Sequence, residues 1–186
     1  MGFRKLDTPI DGLVEIEPDV FGDHRGFFKE TYNQAAFQEL GLDLTFLQDN
    51  VSFSRYGALR GLHFQAPPHA QGKLVTVLEG EVLDVAVDIR KGSPTYGQHY
   101  SVRLSGKNHK LFYVPPGFAH GFAVLTETAF FCYKCTGMYH KESEGGLMWN
   151  DPELEIDWTL EEPLLSDKDQ EYGSFKDFES PFDYAK

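Results

Sequence analysis

Apolar and polar residues alternate along most of this chain in short runs, with little sign of the wider spacing of helices. In residues 81–89 (EVLDVAVDI), Leu83, Val85, Val87 and Ile89 alternate with Val82, Asp84, Ala86 and Asp88. That two-residue period predicts a strand with one well-buried face. Similar runs at 73–78, 99–104, 110–114, 121–125 and 129–136 are bounded by Gly, Pro and Asn, so they too read as strands. Glu79-Gly80 reads as a hairpin turn joining the first two. A single helix stands out, with Asn33 as N-cap, AAFQEL as body and Gly41 as terminator. Many short strands and little helix predict an all-β sandwich or barrel of jelly-roll type with a few short helices.

Composition narrows the class. The 186 residues include 16 Phe, 9 Tyr, 18 Gly and 10 Pro; no repeat, low-complexity tract or linker divides them, and one domain over 1–186 is expected. Two Cys are too few for a disulfide scaffold. The net charge is −12, and it is uneven: residues 142–186 carry 14 acids and 3 bases, the remainder 15 acids and 14 bases. Nucleic-acid binding is therefore not expected, although the near-neutral body can gather a few cations around one small anion. The opening MGFRKLDTPIDG has no apolar stretch, and no run of 18 apolar residues follows. A cytoplasmic protein with no membrane contact is expected, which makes the glycosylation sequon at Asn50-Val51-Ser52 an accident of composition.

Two of the seven histidines sit in telling surroundings: His63 in Arg60-Gly61-Leu62-His63-Phe64-Gln65, and His120 in Pro115-Pro116-Gly117-Phe118-Ala119-His120-Gly121. The second stretch resembles the P-x-G-x-x-H element of the cupin superfamily, whose metal-binding members carry H-x-H where this chain has GLHFQ. Gln65 replaces the second His, and Lys73 is the next long polar residue on the following strand. An ammonium is a poor neighbour for a divalent cation, so no metal and no cofactor is expected. The closer resemblance is to the dTDP-4-dehydrorhamnose 3,5-epimerase family. It rests on FGDHRGFFKETYN (21–33), QDNVSFSRYGALRGLHFQ (48–65), QGKLVTVLEGEVLDVAVDIRKGSPTYG (71–97), FYVPPGFAHGF (112–122), YKCTGMYH (133–140) and DPELEIDW (151–158). Together they cover about residues 10–170 in the family's order.

The resemblance implies a metal-free cupin-type jelly-roll barrel, a homodimer that exchanges N-terminal strands, and inversion at carbons 3 and 5 of a dTDP-linked 4-keto-6-deoxyglucose. It makes His63 the base, Asp169 the carboxylate that orients its imidazole, Tyr133 the acid on the opposite face and Lys73 the cation near the carbonyl oxygen. Acidity next to a ketone needs such a base together with stabilisation of the enolate. Each residue also has a plainer reading. His63 would serve as a satisfied core histidine and Tyr133 as a half-buried strand aromatic, while Ser166-x-x-Asp169 reads equally as a capping pair opening a helical turn.

For the nucleotide, the resemblance points to Arg25 and Arg60 on phosphate, Phe21 and Tyr139 beside thymine, and His120 in the pocket. Gln48, Asn50, Glu30 and Lys168 fit the polar remainder. Arg25 reads equally as a solvated turn residue. Strict alternation sets Arg60 and His63 on opposite faces of one strand, so a shared pocket requires Gly61 to break the pleat. Cys132 and Cys135 form a C-x-x-C, but on a strand residues three apart point to opposite faces. The thiols should diverge, with Cys135 on the face of Tyr133. The nearest rival activity is a mono-epimerase acting at carbon 3 or 5 of another dTDP-deoxysugar. A binding cupin without turnover is disfavoured by His63, Tyr133 and Asp169 together, and a metal-dependent isomerase by Gln65 and Lys73.

Overall fold

The computed structural model describes residues 2–184. The strands are β1 (Phe3–Leu6), β2 (Val14–Pro18), β3 (Val20–Asp23), β4 (Gly26–Lys29), β5 (Gln48–Arg55), β6 (Leu59–Gln65), β7 (Lys73–Glu79), β8 (Glu81–Asp88), β9 (Arg90–Lys91), β10 (His99–Ser105), β11 (Leu111–Val114), β12 (Phe118–Val124), β13 (Thr128–Cys135), β14 (Glu144–Gly146) and β15 (Phe182–Asp183). Two short α-helices, α1 (Gln34–Glu39) and α2 (Asp167–Glu171), complete a mostly β architecture. A six-stranded sheet runs β1-β2-β11-β7-β13-β5, and a five-stranded sheet runs β10-β8-β12-β6-β14. Neighbours within both are antiparallel. Among the described residues no helix is long and apolar enough to cross a membrane.

The inner faces of the two sheets share one core, in which Val75, Val77, Phe112 and Phe131 from the first meet Val82, Ala86, Leu104 and Phe122 from the second. β8 departs from the expectation of one buried face, because both of its faces are covered. Val82 and Ala86 point between the sheets, whereas Leu83, Val85, Val87 and Ile89 point outward against Leu147, Leu154, Trp158 and Phe182. Each aliphatic side chain so buried contributes about 1.5–3 kcal/mol, and an irregular C-terminal stretch supplies the cover. On the back of the six-stranded sheet α1 does the same with fully buried Phe37, packed with Ile16, Leu74 and Leu111. Its cap is the one read from sequence: Asn33 accepts from the Ala36 N–H at 3.2 Å, and Gly41 adopts φ +80°.

The turn at Glu79-Gly80 is corrected by the structure. It joins no hairpin, since β7 and β8 lie in different sheets, and it instead carries the chain around the corner between them. Gly80 holds φ +84°, and a Cβ there would come within 2.1 Å of the Thr128 carbonyl oxygen. β7 finds its partners in β11, which pairs with its first four residues, and in β13, which pairs from Lys73 to Glu79.

Candidate active site

Register places the polar residues of the inner faces in rows at one end of the space between the sheets. In the six-stranded sheet Lys73, Cys135 and Gln48 are aligned across three strands, and Val75, Tyr133 and Asn50 form the next row. In the five-stranded sheet Gly146, His63, His120 and Ala86 form one row, while Arg60, Phe122 and Asp84 form another. Arg60 and His63 share the inner face because the pleat breaks at Gly61, as the sequence required. Gly61 and Leu62 together oppose Gly121, and Gly61 has φ +146°. A Cβ on Gly61 would lie 2.5 Å from the Gly121 Cα, so only glycine fits this bulge.

Between these rows lies a cavity of about 310 Å³ lined by His63, Arg60, His120, Lys73, Tyr133, Ser52, Lys168 and Asp169, among others. His63, Lys73 and Tyr133 also border a smaller recess of about 120 Å³ shared with Gln48, Asn50, Cys135, Tyr139 and Glu144. Eight of the residues picked from sequence, together with Tyr139 and Lys168, therefore converge on one connected region. Phe21 and Arg25 do not. They lie on the exposed β3–β4 hairpin around a separate surface recess, where Arg25 forms an ion pair with Asp23 at 2.6 Å. Glu30 lines neither cavity; its carboxylate accepts from Asn33 near the start of α1.

His63 Nε2 lies 2.5 Å from Asp169 Oδ1. Asp169 is only 3% exposed, and its second oxygen accepts from Ser166 Oγ at 2.7 Å while its N–H donates back to the same hydroxyl. The capping reading and the histidine-partner reading of Asp169 thus hold together. Burial alone would raise its pKa, but the hydrogen bonds from His63 and Ser166 outweigh this and hold the carboxyl below its ordinary range. Across the cavity, burial pushes the Tyr133 phenol up and the Lys73 ammonium down. Among the described residues Lys73 has no carboxylate within ion-pair distance.

His120, 6% exposed, bonds through Nε2 to Asp84 Oδ1 at 2.8 Å, and Asp84 Oδ2 is buried with no partner among the described residues. Sequence reasoning passed over Asp84, although a carboxylate alternating with Val82 and Ala86 signals a buried charge in need of a partner. It passed over Ser52 and Glu144 as well. Cys132 and Cys135 are unpaired thiols, and they diverge as expected, Cys135 into the recess and Cys132 to the back of the sheet. Gln65 is committed elsewhere: its amide donates to the carbonyls of His69 and Met138, and its oxygen accepts from the His140 N–H at 2.8 Å. Among the described residues no three His, Cys, Asp or Glu side chains cluster so as to hold a metal ion.

A histidine–carboxylate pair facing a phenol and an ammonium that has no ion-pair partner among the described residues suits proton transfer beside a carbonyl. The comparisons agree in kind. A family model described as dTDP-4-dehydrorhamnose 3,5-epimerase matches residues 7–177. The chain belongs to that family. It is an isomerase by class, and it is 54% identical over 170 residues to the Pseudomonas aeruginosa dTDP-4-dehydrorhamnose 3,5-epimerase, covering 90% of this chain and 93% of that one. Its fold matches that of a Legionella pneumophila 3,5-epimerase solved with dTDP-4-keto-L-rhamnose, with TM-score 0.95 and 49% identity over 99% of this chain and 100% of that one. A Streptomyces bikiniensis 3'-monoepimerase solved with dTDP-quinovose is also similar, with TM-score 0.85 and 36% identity over 90% and 85% of the two chains.

Proposed function

We propose that this enzyme removes and returns a proton at each carbon flanking the ketone of dTDP-4-keto-6-deoxyglucose, giving the L-sugar for dTDP-L-rhamnose synthesis without a metal or cofactor. The observation that carries this reading is the His63–Asp169 pair on one side of a cavity whose facing sheet presents Tyr133 and Lys73. Asp169 accepts at Nε2, so the imidazole keeps its proton there and leaves the Nδ1 lone pair as the base. Lys73 offers a cation not neutralised by an ion pair, placed to stabilise the enolate oxygen. Tyr133, held protonated by burial, returns the proton from the opposite face, which is what inversion demands.

Arg60 and His120 are read as substrate contacts, with Asp84 fixing the orientation of His120. Gln48, Asn50, Tyr139 and Lys168 are read as the nucleotide and polar contacts around them. The two facing sheets are read as a cupin-type jelly roll in a single domain over 1–186 that acts in the cytoplasm. Phe21, Arg25 and Glu30 act from an N-terminal segment exchanged in a homodimer. Two features support the exchange: the β3–β4 hairpin leaves Phe21, Phe27 and Phe28 more than half exposed, and the edge strand β5 exposes Val51 and Phe53. Exhaustively chelated enzyme given dTDP-4-keto-6-deoxyglucose should form the L-configured product at an undiminished rate. Activity lost on chelation and restored by one divalent metal would overturn the metal-free reading.

A further inference from the structure

We propose that Glu144 is a positioning residue that couples occupation of the nucleotide end of the site to the alignment of the His63–Asp169 pair; the inference rests on the epimerase reading above. Glu144 opens β14, where it stands opposite Gln65, and two residues later Gly146 stands opposite His63. Its carboxylate joins two parts of the site. One oxygen accepts from the Tyr139 hydroxyl at 3.0 Å, and the other forms an ion pair with Lys168. Lys168 immediately precedes Asp169 in α2, a helix of only five residues. The far end of α2 is seated by the same strand. The Tyr172 ring packs edge-on to His63, with centroids 5.7 Å apart, and a Cβ at Gly146 would lie 2.5 Å from it.

β14 thus holds α2 at both ends, by Glu144 on Lys168 and by Gly146 beneath Tyr172. The Glu144–Lys168 pair is too exposed, at 22% and 45% for the two side chains, to add much stability. Its value is geometric, because a shift of about 1 Å in a catalytic group can cost about 100-fold in rate. Tyr139 is 54% exposed beside the smaller recess, anchored by its N–H on Gln48 and its hydroxyl on Glu144. A base stacked on that ring fixes the phenol, the phenol fixes the Glu144 carboxylate, and the carboxylate fixes Lys168 and the turn that carries Asp169. Ligand binding would thereby further order a five-residue helix of which only Asp169 is buried.

The test compares intact wild type, Glu144→Gln and Tyr139→Phe by hydrogen–deuterium exchange over residues 166–173, with and without saturating dTDP. In the wild type dTDP should slow exchange of this segment by about tenfold or more. Both variants should bind dTDP yet fail to slow it, and kcat should fall by about tenfold with KM changed less than about threefold. Tyr139→Phe removes one oxygen and keeps the ring, so its folding is not in question. Equal protection in all three proteins, or a loss confined to KM, would overturn the coupling. So would a rate loss in Glu144→Gln that is unaccompanied by lost protection, since the nearby charge would then act on His63 directly. Glu144-dependent protection in a wild type that leaves the keto sugar unchanged would support the coupling while sinking the epimerase reading; a wild type that does not bind dTDP would overturn both.

Discussion

Replacing Asp169 by Asn changes one buried charge and keeps the shape, so its effect can be followed bond by bond. Ser166 Oγ donates to Asp169 Oδ2 at 2.7 Å, and in Asp169→Asn that place goes to the amide oxygen. The NH₂ group then faces His63 Nε2, 2.5 Å away in the wild type, and donates to it. The imidazole proton moves to Nδ1, where the base should be. Losing a hydrogen bond to a charged group costs about 1.5–3 kcal/mol, or about 10- to 150-fold in rate, and loss of the correct tautomer puts the whole general-base contribution of about 10²–10⁴ at risk. We expect kcat to fall by at least about 100-fold, measured by formation of the epimerised sugar, with dTDP affinity within about threefold because the carboxyl is nearly inaccessible. Stability supplies a second check. A carboxyl with a depressed folded pKa stabilises the protein fully above its unfolded value of about 3.9, and that contribution is lost as pH falls through the folded value. The stability gap between wild type and Asp169→Asn should therefore be level near neutrality and close in acid. An unchanged kcat would return Asp169 to capping alone.

Burial lowers the Lys73 pKa and raises that of Tyr133, so kcat/KM should fall on the alkaline side with an apparent pKa below about 10.4 and before Tyr133 ionises. Lys73→Met should abolish that limb and cost about 10²–10³ in kcat; a limb that persists in the variant would assign it to another group. Gly61→Ala forces a Cβ against Gly121 at a φ of +146° and should cost about 1–3 kcal/mol or more, read as a lower Tm with weakened turnover, whereas a variant indistinguishable from wild type would mean that the bulge is dispensable. Mixing inactive Arg25→Ala and His63→Ala proteins under subunit exchange should restore part of the activity. No recovery despite verified exchange would count against a site shared between protomers.

Local chemistry was legible wherever one residue decides it. Asn33 announced the cap of α1, Gly61 had to break the pleat if Arg60 and His63 were to share a face, and alternation alone separated Cys132 from Cys135. Pairing across sheets was not legible. The Glu79-Gly80 turn satisfies the rule for a hairpin, yet β7 and β8 go to different sheets because their partners arrive from β11, β12 and β13 further along the chain. Likewise the apolar side of β8 marked a buried face but not what covers it, since residues 147–182 reach it through scattered Leu, Trp and Phe without any period. The His63–Asp169 contact spans 106 residues and entered through family likeness; spacing alone offered the Ser166 cap. Asp84 and Glu144 sit on strands whose partners fix their roles, so each gained meaning only beside His120, Tyr139 and Lys168.

A 3'-monoepimerase shares this fold, so the central claim is tested most directly by where the solvent proton goes. Wild-type enzyme and dTDP-4-keto-6-deoxyglucose are incubated in heavy water, and the product is analysed by NMR for label and configuration at each carbon. Deuterium is expected at both carbon 3 and carbon 5 with release of the L-sugar, because one ketone acidifies both neighbours and the proposed roles of His63 and Tyr133 address opposite faces. Tyr133→Phe should still exchange at least one position while inverting poorly. Deuterium at a single carbon with one inversion, or label entering both carbons at the wild-type rate after His63→Ala, would contradict it.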